Sequence, residues 1–147
     1  MIGLLDFDGY ICKAFYASIA RGEDDFEEMT KVLDDLTKAA LDKLKDNFGH
    51  GAVIKVISGH TYKKDVYPSY KLGRKRNEDL GAFREYVKLT YEDLKIVPNL
   101  EADDVITMMA EDLGNCIVFS DDKDLRYYNP QYCKININEE IGYEADY

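Results

Sequence analysis

Residues 4–17 read LLDFDGYICKAFYA, and a change of pattern inside them decides the fold. Met1 to Leu5 is an apolar run of strand length, whereas from Tyr10 to Ala20 the apolar residues Ile11, Phe15 and Ile19 recur every four positions, on one face of a helix. A buried strand feeding a helix opens an α/β unit. Two aspartates stand at the junction: Asp6 follows the strand, and Asp8-Gly9 reads as a turn that lines a site or assists a water-mediated contact.

The rest of the chain continues the alternation. Phe26, Met29, Leu33, Leu36, Ala40 and Leu44 define an amphipathic helix from about Asp25 to Asn47, with acids at its start and Gly49 and Gly51 at its end. AVIKVI, Ala52 to Ile57, is a central strand that Ser58-Gly59 is expected to break, and residues 59 to 76 lack a clean period. Leu80, Phe83, Tyr86 and Val87 make a further helix, Leu94 to Val97 a brief strand, and Glu101 to Leu113 a helix closed by Gly114. Cys116 to Phe119 is another strand and Lys134 to Ile137 an edge strand. The expectation is one domain, residues 1–147, of the α/β class, with a mainly parallel sheet covered by helices on both faces.

Composition narrows the function. At 147 residues, with 46% hydrophobic and 33% charged residues, the chain suits one globular core without a long disordered tail. Its net charge of −10 on its own argues against a nucleic-acid binder, yet Lys63, Lys64, Lys71, Arg74, Lys75 and Arg76 form one basic island. Cys12, Cys116 and Cys133 have neither disulfide-framework nor zinc spacing. No apolar run is long enough to span a membrane, so a cytoplasmic protein with no membrane partner is expected.

In a parallel sheet, ligands bind outside the carboxyl ends of the strands. Asp6 follows the first strand, Ser58 the second, Glu101 opens the helix after the third, and Asp121-Asp122 follow the fourth. In LEADDVI, Glu101 and Asp104 share a helical face while Asp103 points elsewhere unless the turn is irregular. The plainer reading of these acids is charge complementing a helix dipole, and of SDDKD a solvated turn. Brought to one sheet edge, however, they repel one another unless cations neutralise them, and carboxylates without thiols or histidines suit Mg²⁺ or Mn²⁺. Two such ions bridged by a phosphodiester would activate water and stabilise the leaving oxygen. TYKKDVYPSYKLGRKR, which interleaves cations with Tyr62, Tyr67 and Tyr70, suits phosphate contacts and base stacking, or is simply a solvated basic loop.

These residues together resemble the 5′-nuclease superfamily, which includes flap endonucleases, the N-terminal nuclease domain of bacterial DNA polymerase I and bacteriophage 5′-3′ exonucleases. YICKAFYA, Tyr10 to Ala17, is similar to the family's YLYRAFHA without a gap when the family Asp falls on Asp6. TYKKDVYPSYKLGR resembles the stretch from TFR to YKxHR, LEADDVI resembles VEADDVI, and SDDKDL resembles TGDKD with Asp121 in place of Gly. The resemblance implies a PIN-like three-layer fold and metal ligands at Asp6, Glu101, Asp103, Asp104, Asp122 and Asp124 for two Mg²⁺ or Mn²⁺ ions. It puts phosphate-contacting catalytic cations on Lys71 and Arg74, while the basic, tyrosine-bearing stretch itself offers Tyr70, Lys63, Lys75 and Arg76 as further substrate contacts. The implied activity is 5′-3′ exonucleolytic or flap-endonucleolytic cleavage of DNA or RNA–DNA hybrids in replication or repair, in a bacterial cell or phage-infected host.

Two departures accompany it. Ser58 stands where the family pattern FDxxG has an Asp, so that one metal contact is lost or replaced. Family members also continue past DKD into a duplex-binding helix-three-turn-helix module, which these 147 residues do not include. A fragment, a minimal nuclease, or a separate protein supplying that module would each account for this. Three rival readings stand beside the nuclease. DFDG is similar to the DxDG motif of haloacid-dehalogenase-like phosphatases, with Asp6 as nucleophile and Asp8 as general acid, but this leaves EADD and YKLGR unexplained. A PIN-type ribonuclease shares the acidic site, and a non-catalytic binding remnant is the third.

Overall fold

The computed structural model describes residues 1–59, 69–120 and 132–133, with the side chains of 69–77 and 132–133 outside that description. β1 (Ile2–Asp6) leads directly into α1 (Phe7–Ala20), and α2 (Phe26–Phe48) precedes β2 (Ala52–Gly59). There follow α3 (Ser69–Thr90), β3 (Leu94–Pro98), α4 (Ala102–Leu113), β4 (Cys116–Phe119) and the short β5 (Tyr132–Cys133). The strands form one sheet in the order β3-β2-β1-β4-β5, and every pairing is parallel. The register places Leu4 beside Ile54 and Val118, so β1 is central.

Strand alternation divides the core between two faces. Leu5, Ile57 and Phe119 pack under α1, α2 and α3, which contribute Phe15, Leu36 and Phe83. Leu4, Val56 and Val118 pack under α4 against Val105 and Ile106. Right-handed crossovers require this split. The connections from β1 to β2 and from β2 to β3 step one way along the sheet, whereas that from β3 to β4 steps back across two strands and must cover the opposite face. The result is the three-layer α/β arrangement expected from the sequence. Among the described residues, no helix is long and apolar enough to cross a membrane.

The boundaries that differ do so for local reasons. α2 starts where expected because the Asp25 side chain accepts from Glu27 N–H at 2.9 Å, and it ends on left-handed Gly49. α1, however, begins at Phe7, so Asp8-Gly9 forms its first turn rather than a separate loop. β2 carries through Ser58 and Gly59, whose register partners are Val97 and Pro98, because pairing with β3 continues past the apolar run. α3 begins at Ser69, about three turns before its apolar stripe. Helical periodicity is legible only where one face alternates with apolar residues, and SYKLGRKRN is mostly polar. The stretch from Lys71 to Arg76 is therefore helical where no period was expected. The expected strand Lys134 to Ile137 lies outside the described residues.

Candidate active site

Along the carboxyl edge of the sheet lie Asp6 at the end of β1, Ser58 and Gly59 at the end of β2, and Ser120 just after β4. The strand order reverses at β1, between its β2 and β4 neighbours, and such a reversal opens a crevice beyond the strand ends. At that point the Ser120 hydroxyl donates to Asp6 Oδ2 at 2.7 Å, which fixes the rotation of the partly buried carboxylate.

α4 reaches the same edge through a tight turn after β3. Leu100 N–H donates to the Val97 carbonyl, Asn99 takes a positive φ of 66°, and Gly59 N–H donates to the Leu100 carbonyl at 2.8 Å. A side chain at Gly59 would collide with the Val97 carbonyl, so only glycine lets the two strand ends approach this closely.

At the start of α4, Glu101, Asp103 and Asp104 each present a carboxylate oxygen within 4.8 Å of the others. Asp103 joins its neighbours, as expected only of an irregular turn. Glu101 is the N-cap, in extended conformation at φ −78° and ψ 153°, so its side chain leaves the chain before helical rotation begins. The Asp103 carboxylate turns back to accept from Asp104 N–H at 2.9 Å. Glu101 does not cap the helix with its own side chain. That service comes from another strand, where Ser58 Oγ accepts from Ala102 N–H at 3.0 Å.

The chemistry of this donor set fits a hard divalent cation. All three groups supply oxygen, and an octahedral Mg²⁺ shell is about 4.2 Å across between opposite ligands. Three oxygens within 4.8 Å close on one ion with small movements or through water. The helix N-terminus favours acidic side chains by itself, and three carboxylates this close would together attract a cation. Asp6 lies outside this three-residue group, at the end of the central strand β1.

Asp8, read from the sequence as part of a turn lining the site, has a different place. It is buried in the first turn of α1, where Oδ2 accepts from Ser58 N–H at 2.9 Å and from the Ser58 hydroxyl at 2.7 Å. Oδ1 accepts from Arg84 Nε at 3.1 Å, and Arg84 also donates to the Ser58 carbonyl at 2.6 Å. A buried ion pair of this kind, once one partner is removed, costs about 3–5 kcal/mol. The phosphatase reading needs Asp8 as a general acid facing substrate, and here both of its oxygens accept from protein donors.

Arg84 is the residue that sequence reasoning missed. Its signal was nonetheless present: Leu80, Phe83, Arg84 and Val87 fall at i, i+3, i+4 and i+7, so a charge sits on the buried stripe of α3 and demands a buried acid. Of the other expected site residues, Tyr70, Lys71, Arg74, Lys75 and Arg76 lie on the first turns of α3, with side chains outside the description. Lys63, Asp122 and Asp124 lie outside the described residues.

Residues 1–146 match the 5′-3′ exonuclease, N-terminal resolvase-like domain family. The chain belongs to this family. No curated protein matched the chain. The match covers every motif on which the resemblance was read and agrees with the PIN-like three-layer fold seen here. This nuclease domain therefore belongs to a hydrolase family whose substrates are nucleic acids.

Proposed function

We propose that this nuclease domain, a single PIN-like unit over residues 1–147, hydrolyses phosphodiesters at 5′ ends or flaps of DNA or RNA–DNA hybrids with two Mg²⁺ or Mn²⁺ ions. The observation that carries the reading is the convergence of Glu101, Asp103 and Asp104 at the carboxyl edge of a parallel sheet whose central strand ends in Asp6. These four, with Asp122 and Asp124, would hold the ions. When bound, such ions polarise the phosphate and make water a competent nucleophile near neutral pH. Ser120 keeps the Asp6 carboxylate oriented. Lys71 and Arg74, one turn apart on α3, would neutralise charge developing on the phosphate, the arginine in bidentate fashion. Tyr70 would stack on a terminal base, and Lys63, Lys75 and Arg76 would contact flanking phosphates. Grip on the duplex would come from a helix-three-turn-helix module, in the same polypeptide or in a partner protein. The setting would be DNA replication or repair in a bacterial cell or a phage-infected host.

Labelled 5′-flap, duplex and hybrid substrates, incubated with the protein and Mg²⁺, Mn²⁺ or chelator, test the reading. Metal-dependent cleavage near the 5′ end is expected; no cleavage of any substrate with either ion overturns it. Asp122→Asn should abolish cleavage while the circular dichroism spectrum stays unchanged. Lys71→Ala should lower kcat more than DNA affinity, and a loss confined to affinity would contradict its catalytic role.

A further inference from the structure

Ser58 is the meeting point of four buried hydrogen bonds. Its N–H and hydroxyl both donate to Asp8, its carbonyl accepts from Arg84, and its Oγ accepts from Ala102 N–H. Ala102 stands between Glu101 and Asp103, so the position of its N–H sets the backbone from which two of the three carboxylates project. The Ser58 hydroxyl proton is committed to Asp8, which aims the oxygen lone pairs at α4. Asp8 is in turn held by Arg84, a residue of the helix that carries Lys71 and Arg74 near its start.

We infer that Ser58 is a positioning residue for the Glu101–Asp103–Asp104 carboxylates, with Asp8 and Arg84 fixing its hydroxyl, so that this buried relay tunes metal affinity without touching metal or substrate. The inference rests on the proposed metal centre. Two features favour positioning over simple stability. The acceptor that caps α4 comes from β2 instead of from Glu101, whose carboxylate joins the acidic group. The Arg84 guanidinium also balances Asp8, so the relay adds no net negative charge beside three carboxylates. Polar groups that orient metal ligands from behind change metal affinity by roughly 10- to 100-fold when removed.

The test uses Mn²⁺ binding, followed by the paramagnetic resonance signal of the free ion, together with cleavage of a labelled flap across a Mn²⁺ titration. Ser58→Ala removes only the hydroxyl, and Ser58→Thr restores it. The alanine variant should need roughly 10- to 100-fold more Mn²⁺ for half-saturation, keep the parental KM for DNA, and recover turnover in excess metal, while the threonine variant returns towards the parent. Parental Mn²⁺ affinity in Ser58→Ala overturns the inference. So does a loss that neither excess Mn²⁺ nor Ser58→Thr restores, because it marks a purely structural residue. A parent protein that neither binds Mn²⁺ nor cuts any substrate fails the metal-centre reading itself, which separates the two failures.

Discussion

Gly59 shows how much one missing side chain decides. Its N–H holds the Leu100 carbonyl, and its bare α-carbon allows the Val97 carbonyl to lie against it. Gly59→Ala should force the turn before α4 outward and destabilise the protein by about 1–3 kcal/mol, the usual cost of overpacking. Urea unfolding checks this, and an unchanged midpoint would show that the turn yields without cost. The same substitution should weaken metal binding, since the displaced turn carries Glu101. Asp6 and Asp8 make the complementary point: two residues apart, one is held by Ser120 at the strand edge and the other is sealed among Ser58 and Arg84.

Between elements, Tyr91 ties the end of α3 to α2. Its hydroxyl donates to Asp34 on α2, and its ring lies 5.0 Å from the Lys55 ammonium on β2. Burial, reinforced by the hydrogen bond to Asp34, pushes the phenol well above its ordinary value near 10. A raised pKa means that the folded protein keeps a proton that the unfolded chain gives up. The contribution is therefore complete below about pH 10 and is lost as pH rises beyond it. Tyr91→Phe should accordingly lose less stability than the parent between about pH 9 and about pH 11, as read from urea midpoints. Equal losses would show that the tyrosine ionises in the folded state as readily as in the unfolded chain. The other element-level lesson is α3, where the apolar stripe at Leu80, Phe83 and Val87 was legible but the polar turns before it were not. A helix segment without an alternating face gives hydrophobic periodicity nothing to report.

Across the whole molecule, a net charge of −10 is combined with three carboxylates gathered within 4.8 Å. A cation that binds the folded state and not the unfolded chain would stabilise the fold by mass action. Mn²⁺ at 100 times its dissociation constant should stabilise the fold by about 2.7 kcal/mol, raising Tm on the order of 5–10 °C for a chain of this size. Asp103→Asn should reduce that increment, and sodium chloride of equal ionic strength should not reproduce it. A melting curve indifferent to Mn²⁺ would mean that the acidic group is not a metal site.

The sequence by itself determined the α/β class, the parallel strands and the family. All of these follow from periodicities and motifs contained in short windows. An ideal helix from Glu101 sends Asp103 away from its neighbours and only an irregular turn brings it back, and the turn expected at Asp8-Gly9 is instead the first turn of α1. Only the tertiary structure decided that an extended N-cap swings Glu101 toward Asp103 and Asp104, and that Asp8 belongs with Arg84, 76 residues away. The physical reason is that periodicity records which face of an element is buried, whereas hydrogen bonds among Ser58, Asp8, Arg84 and Ala102 form only after four separate segments have packed at one sheet edge.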